Sequence, residues 1–310
     1  MIMKKLLIIA LTIFTGCAYL QAGGEKVVDS SGKQPKWVYK TEKEYIIVSA
    51  QASTIEDAKD KAMKHVKKQI LESIADNVRS TSKLSTQEQG INSNYNILET
   101  YESEIESEGA LVPFLSEVSI ANVEDSYWEK VKQDKNTYYY RYHIKYPFTK
   151  FDLMRMSDDF LTREKELDDK IAAFAADDFT SYSSIEEMTA QLQQLRVFKA
   201  SLMERDARRN TCANIEKAYA NNLKSITLRL ISVNRQELVY APYYGEKQLT
   251  TSLQPKLASN CLGNLQFRPQ AGQCVVTYDY ATACYEDEEN YLEVTLTLLG
   301  NKIKNKFIVK

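Results

Sequence analysis

A strict two-residue alternation between positions 138 and 146 constrains this chain more than any other feature. Tyr138, Tyr140, Tyr142, Ile144 and Tyr146 fall on one side of an extended backbone, and Tyr139, Arg141, His143 and Lys145 on the other. Successive strand side chains point to opposite faces, so the pattern predicts a strand with an aromatic core face and a polar, wet face. The polar turn Gln133-Asp134-Lys135-Asn136 and an apolar segment over 112–131 come before it, which predicts a hairpin whose first strand bulges near Ala121-Asn122. Another strand is read at 45–52, where Ile46, Val48, Ala50 and Ala52 make a small-residue face suited to a covering helix. That helix follows. Ser53 and Glu56 have capping-box spacing, and Ile55, Ala58, Ala62, Val66, Ile70, Ile74 and Val78 mark one face to about Thr81. Residues 82–111 show no readable period. Strand, helix, strand, strand over 36–150 predicts an α+β sandwich.

Residues 151–225 change to helical spacing. Phe160, Leu167, Ile171 and Phe174, then Ile185, Met188, Leu192, Leu195 and Leu202, predict a central antiparallel helical hairpin, with Ser184 and Glu187 capping the second helix. Glu164 and Lys199 interrupt the stripe, so packing on neighbours is favoured over an oligomer seam. Arg196 and Arg205 read as exposed charges that steer a partner. From 226 to 310 short alternations, among them Leu265 to Arg268 and Leu292 to Leu298, predict about seven strands. An all-β immunoglobulin-like sandwich fits them, with a small barrel as the alternative. Gly300-Asn301 marks a tight hairpin.

At the other end, Met1 to Lys5 is basic and Leu6 to Phe14 is an apolar run of nine residues, too short to span a bilayer. Residues 1–16 read as a secretory signal peptide. Phe14-Thr15-Gly16-Cys17 resembles the bacterial lipobox, which implies lipid attachment at Cys17 after cleavage; general signal-peptidase cutting through Gly16 and Ala18 is the alternative. Residues 17–35, with Gly23-Gly24 and Ser30-Ser31-Gly32, read as a lipid-tethered linker. No acidic run follows Cys17, which points to an outer membrane and its periplasmic face. In that oxidising compartment Cys212, Cys261, Cys274 and Cys284 are candidates for up to two disulfides, with the pairing open.

The run ending Ala50-Gln51-Ala52, the helical Asp57-Ala58 and Ala62, a stretch rich in Ser and Thr, and the Tyr-rich hairpin together resemble the Lpp-twenty lipoprotein domain and the related N-terminal domain of flagellar assembly protein T. The resemblance covers residues 36–150, with Lys59 where Arg is expected. It implies an envelope lipoprotein domain, and no catalytic residue is carried over with it.

The remaining chemistry is sparse. Lys and Arg total 40 against 42 Asp and Glu, so the net charge of -2 supplies no field for nucleic acid. Of the two histidines, His65 lies on the first helix and His143 on the polar strand face, neither beside a readable nucleophile. Motifs of serine hydrolases, zinc proteases, phosphate loops and dinucleotide folds do not occur, and the cysteines lack zinc spacing. No catalytic, cofactor-binding or metal residue is assigned. Adjacent acids such as Asp158-Asp159, Asp168-Asp169, Asp177-Asp178 and Glu186-Glu187 read as solvated helix faces and caps, and Glu286-Asp287-Glu288-Glu289 as a charged loop. The 20 tyrosines suit half-buried strands, although Tyr139, Trp128 or Tyr243-Tyr244 could stack on sugar rings. The expectation is a non-catalytic, lipid-anchored cell-envelope protein, a scaffold or assembly factor for other envelope proteins. The alternative is an envelope glycan-binding module. Oligomeric state stays open.

Overall fold

The structure, a computed structural model, describes residues 25–82, 97–98, 100–103, 105, 112–134, 136–280, 284 and 289–309. It is mixed α+β, with helices and three antiparallel sheets. The chain divides into two compact units between Asp159 and Phe160. The segment 1–16 predicted as a signal peptide and Cys17 lie outside the described residues, as does most of 82–111.

In the first unit β1 (Lys26–Ser30), β2 (Tyr45–Ala52), β3 (Asp125–Lys132) and β4 (Tyr138–Pro147) form a sheet in the order β1-β3-β4-β2. Helix α1 (Ile55–Ser82) packs on β2 and β4, with Ala58, Ala62, Val66, Ile70 and Ile74 fully buried. Three local expectations need correction. The helix cap is Thr54, not Ser53: its hydroxyl accepts from the Asp57 amide at 3.1 Å and donates to the Asp57 carboxylate at 2.7 Å. Part of the presumed linker is β1. As an edge strand exposed on both faces, it has no buried alternation to betray it. The predicted long strand over 112–131 is extended only from Asp125. Before it come 3-10 turns at Pro113–Leu115 and Ile120–Asn122, and Val112, Leu115 and Val118, three residues apart, are all buried.

Helix α2 (Lys150–Ala175) contains the division. The second unit adds α3 (Ile185–Ser201), with the expected Ser184/Glu187 capping box, and α4 (Arg208–Lys224). The chain breaks between α3 and α4, so three helices replace the hairpin. Strands β5 (Thr227–Val233), β6 (Glu237–Tyr244), β7 (Lys247–Gln248), β8 (Lys256–Ser259), β9 (Gly263–Gln270), β10 (Gln273–Asp279), β11 (Tyr291–Leu298) and β12 (Asn301–Ile308) follow. One sheet runs β5-β6-β10-β9 with β7 on β6, the other β12-β11-β8. The short β7 and β8 were not foreseen. The last hairpin turns at Leu299-Gly300, both at positive φ, and Leu298 pairs with Asn301; glycine is the second central residue rather than the first.

One core joins these parts. Ile185, Met188, Leu192 and Leu195 from α3 and Tyr219 and Leu223 from α4 pack in the same cluster as Leu238, Val276, Leu292 and Phe307 from the strands. The helices supply the surface the sheets bury, so 225/226 is no boundary between independent bodies. The cysteines resolve into a single bridge, Cys261–Cys284, while Cys212 and Cys274 are buried free thiols. Burial pushes both thiols up, Cys274 to about 11, so neither carries a reactive thiolate.

Candidate functional site

Strand register in the first unit assembles a polar cluster that linear spacing conceals. Ser49 on β2 and Tyr127 on β3 both sit opposite His143 on β4, and Glu129 sits opposite Arg141. All five residues share the sheet face turned away from α1. That face is not wet. The segment carrying Trp37 and Val38 covers it, packing on Tyr127 and Ile47, and the Trp37 indole donates to Asp125 at 2.6 Å. Tyr39, at φ 64°, meets His143 edge to face with centroids 5.1 Å apart, and Tyr127 stacks on the same ring at 5.7 Å.

His143 is therefore 0% exposed. Its Nδ1 lies 2.6 Å from the Ser49 hydroxyl, and its Nε2 lies 3.9 Å from Glu129, beyond hydrogen-bond reach. A Ser49 hydroxyl donating to Nδ1 leaves the ring proton on Nε2, facing the carboxylate. Arg141 closes the network with a 2.7 Å bond to Glu129 and a 2.6 Å contact to the Tyr139 hydroxyl. Hydroxyl, imidazole and carboxylate thus lie in sequence, yet the ring is fully buried, in contact with two tyrosines. No substrate atom can reach it in this arrangement, so the cluster works as a buried polar tie between three strands. His65 is exposed, its ring 3.1 Å from the Ser49 carbonyl.

His143 and Arg141 hold the Glu129 carboxyl below its usual range against the opposing push of burial. A depressed folded pKa contributes stability that is present above the unfolded value of about 4.3 and is lost as pH falls through the folded value. Urea unfolding at stepped pH should show that acid loss in the parent and a shallower one in Glu129→Gln. Identical slopes would remove Glu129 from the acid response.

The second unit has a cleft of about 710 Å3 among α2, α3 and α4. Phe174, Val197, Phe198 and Tyr219 supply its apolar lining, and Gln191 and Gln194 lie at the same cleft. The Phe174 and Phe198 rings sit 5.9 Å apart, and Val197 is 61% exposed. Asp177 fixes one wall by accepting from the Tyr219 hydroxyl at 2.5 Å and the Tyr182 hydroxyl at 2.6 Å. Burial, reinforced by that carboxylate, pushes both phenols up and keeps them protonated as donors. Arg196 is no free steering charge: it bonds Glu216 at 2.7 Å, and Lys199 bonds the same carboxylate, tying α3 to α4.

A smaller hollow of about 360 Å3 is polar, lined by Glu186, Thr250, Thr251, Ser252, Gln270 and Gln273. Burial pushes the Glu186 carboxyl up, but the Ser252 amide at 2.6 Å and the hydroxyls of Ser252 and Thr251 outweigh it and leave the group below its usual range. Of the sugar-stacking candidates, Tyr243 and Tyr244 are half-buried, bonded to Gln248 and Asn222, and Tyr139 is engaged by Arg141. Trp128 lies on the opposite sheet face from Tyr139. Residues 286–288 of the acidic run lie outside the described residues. Among the described residues no group of His, Cys, Asp or Glu has metal-binding geometry, and no helix is long and apolar enough to cross a membrane. Neither a family model, a curated protein nor a solved structure matches the chain.

Proposed function

We propose that this chain is a non-catalytic lipoprotein of the bacterial cell envelope, anchored through Cys17 to the outer membrane on its periplasmic side, that holds or assembles other envelope proteins. The observation that carries the reading is the cleft beside α3. Its apolar floor and exposed Val197 suit inserted apolar side chains, while Gln191 and Gln194 can each donate to and accept from a peptide backbone. The occupant is an uncharged, apolar protein segment. On this reading residues 36–150 are a domain of the Lpp-twenty kind, and the two C-terminal sheets an immunoglobulin-like sandwich.

Two measurements test it. Labelling with palmitate and membrane fractionation should lose both signals in Cys17→Ala; retained labelling refutes the anchor. Crosslinking from position 194, at the same cleft, should trap a protein partner in intact cells, and Val197→Lys in that background should lower its recovery about tenfold. A substitution at so exposed a site should change stability by only about 0.5 kcal/mol, so unchanged melting separates lost binding from lost fold. Undiminished recovery would discard the cleft. The glycan alternative keeps one supporting observation, the hydroxyl- and amide-lined hollow at Glu186, and binding of purified cell-wall glycan lost in Gln273→Ala would favour it.

A further inference from the structure

A four-stranded sheet is wider than one helix. Strands lie about 4.8 Å apart and a helix with side chains is about 10 Å across, so α1 covers about two of them. It packs on β2 and β4. The same face continues over β3 and β1, where register places Trp128 opposite Tyr142, Lys130 opposite Tyr140, Lys132 opposite Tyr138, and Lys26 opposite Lys132. Tyr138 is 42% exposed and Lys26 is exposed, while Trp128, Tyr140, Lys130 and Lys132 are half-buried. The lysines lie over rings: Lys130 is 5.2 Å from the Tyr138 centroid and 5.5 Å from that of Tyr140, and Lys132 is 5.8 Å from Tyr138. At the edge, Val27 and Val28 are both nearly half exposed. The acids nearby, Asp29 and Asp134, each have an oxygen bonded to backbone amides, of Ser30 and of Asn136 and Thr137.

We propose that this half-face beyond α1, Trp128, Tyr138 and Tyr140 with Lys26, Lys130 and Lys132, docks on an anionic lipid surface. Tyr and Trp place an apolar body and a polar tip at headgroup depth, and lysine stems lie along apolar surface while their ammonium groups reach phosphate. Position sets the occupant. Lys26 stands nine residues after Cys17, so an extended chain holds the patch within about 30 Å of an acylated cysteine. That tether gives a weak patch a high local concentration of membrane. The choice of occupant rests on the lipid attachment proposed above.

The test uses the chain from residue 17 onward with Cys17→Ser, so that no acyl chain contributes. Flotation with vesicles of phosphatidylcholine and phosphatidylglycerol (about 70:30) should recover it, pure phosphatidylcholine should not, and Trp emission should shift to the blue in the parent but not in Trp128→Phe. Each lysine near an anionic surface contributes about fivefold, so the triple Lys26→Gln, Lys130→Gln, Lys132→Gln should bind about a hundredfold more weakly, and each single change about fivefold. Should the triple variant melt early, the three singles decide. No binding, equal binding to both vesicles, or full binding by the lysine variants overturns the proposal, as does sedimentation with insoluble cell wall in place of vesicles. Failure of Cys17 acylation is read separately, by palmitate labelling of the parent, and leaves this result standing on its own.

Discussion

Arg208→Met should destabilise the second unit by about 3–5 kcal/mol, because the guanidinium is the shared cation of a buried acidic pair. It is 9% exposed, with Glu164 at 2% and Asp206 at 6%. Arg208 reaches Glu164 on α2 at 2.8 Å and takes Asp206 bidentately, Nη2 to Oδ2 at 2.7 Å and Nε to Oδ1 at 2.9 Å. Asp168, 3.5 Å away and 58% exposed, adds little. Methionine fills the space of the stem but leaves two carboxylates in a site that excludes water. Either they take up protons or the helices part. Removing the acids together with the cation, as Arg208→Met with Glu164→Leu and Asp206→Leu, should restore most of the loss, since the cost lies in uncompensated charge rather than in the pair as such. Denaturant melts of the parent, single and triple variants measure both steps. A single variant within about 1 kcal/mol of the parent would show that the acids are already neutral or hydrated.

That ion pair also explains what was and was not legible in the sequence. Glu164 and Lys199 break the apolar stripe of the helices, and each interruption marks a salt bridge between helices. Glu164 meets Arg208, and Lys199 meets Glu216. A charged residue at a core-facing helical position signals a partner on another element, although the stripe cannot say which. The tyrosine alternation gave β4 and its aromatic face, which is core at Tyr142, Ile144 and Tyr146 but exposed at Tyr138. It misjudged the other face, because the cover comes from Trp37 to Tyr39, about a hundred residues away and without period. Ser49 escaped notice because it lies off its strand's apolar face, and Glu129 because it is a lone charge between Tyr127 and Val131 on a buried face; only register brings them to His143. The cleft was half visible. Phe174 belonged to the predicted stripe, whereas Val197 and Phe198 fall outside it: Val197 is exposed, and Phe198 packs half-buried against the core.

Reduction of the Cys261–Cys284 bridge should cost about 3 kcal/mol, the loss expected when a closed loop of this size is released in the unfolded chain. The two cysteines are 23 residues apart and link the β8–β9 turn to the connection between β10 and β11, so the bridge joins the two sheets' strands. Without it, β8 depends on a four-residue ladder to β11 and on the Ser259 hydroxyl bond to the Tyr291 carbonyl at 2.6 Å. For a unit of about 150 residues that loss corresponds to a melting shift of roughly 6–12 °C. Cys212 and Cys274 are built-in controls. Both are buried and their thiols are pushed up, so they should resist alkylation in the folded chain and react on unfolding, whereas Cys261 and Cys284 react only after reduction. A double Cys261→Ser, Cys284→Ser variant should melt at the reduced parent's temperature and no longer respond to reductant. The same dependence bears on location. A second unit that needs this bridge should accumulate when directed to an oxidising compartment and fall in yield when made in a reducing cytoplasm, with the double variant insensitive to the compartment. If reductant leaves the parent's melting temperature unchanged, the ladder holds the sheets without the bridge.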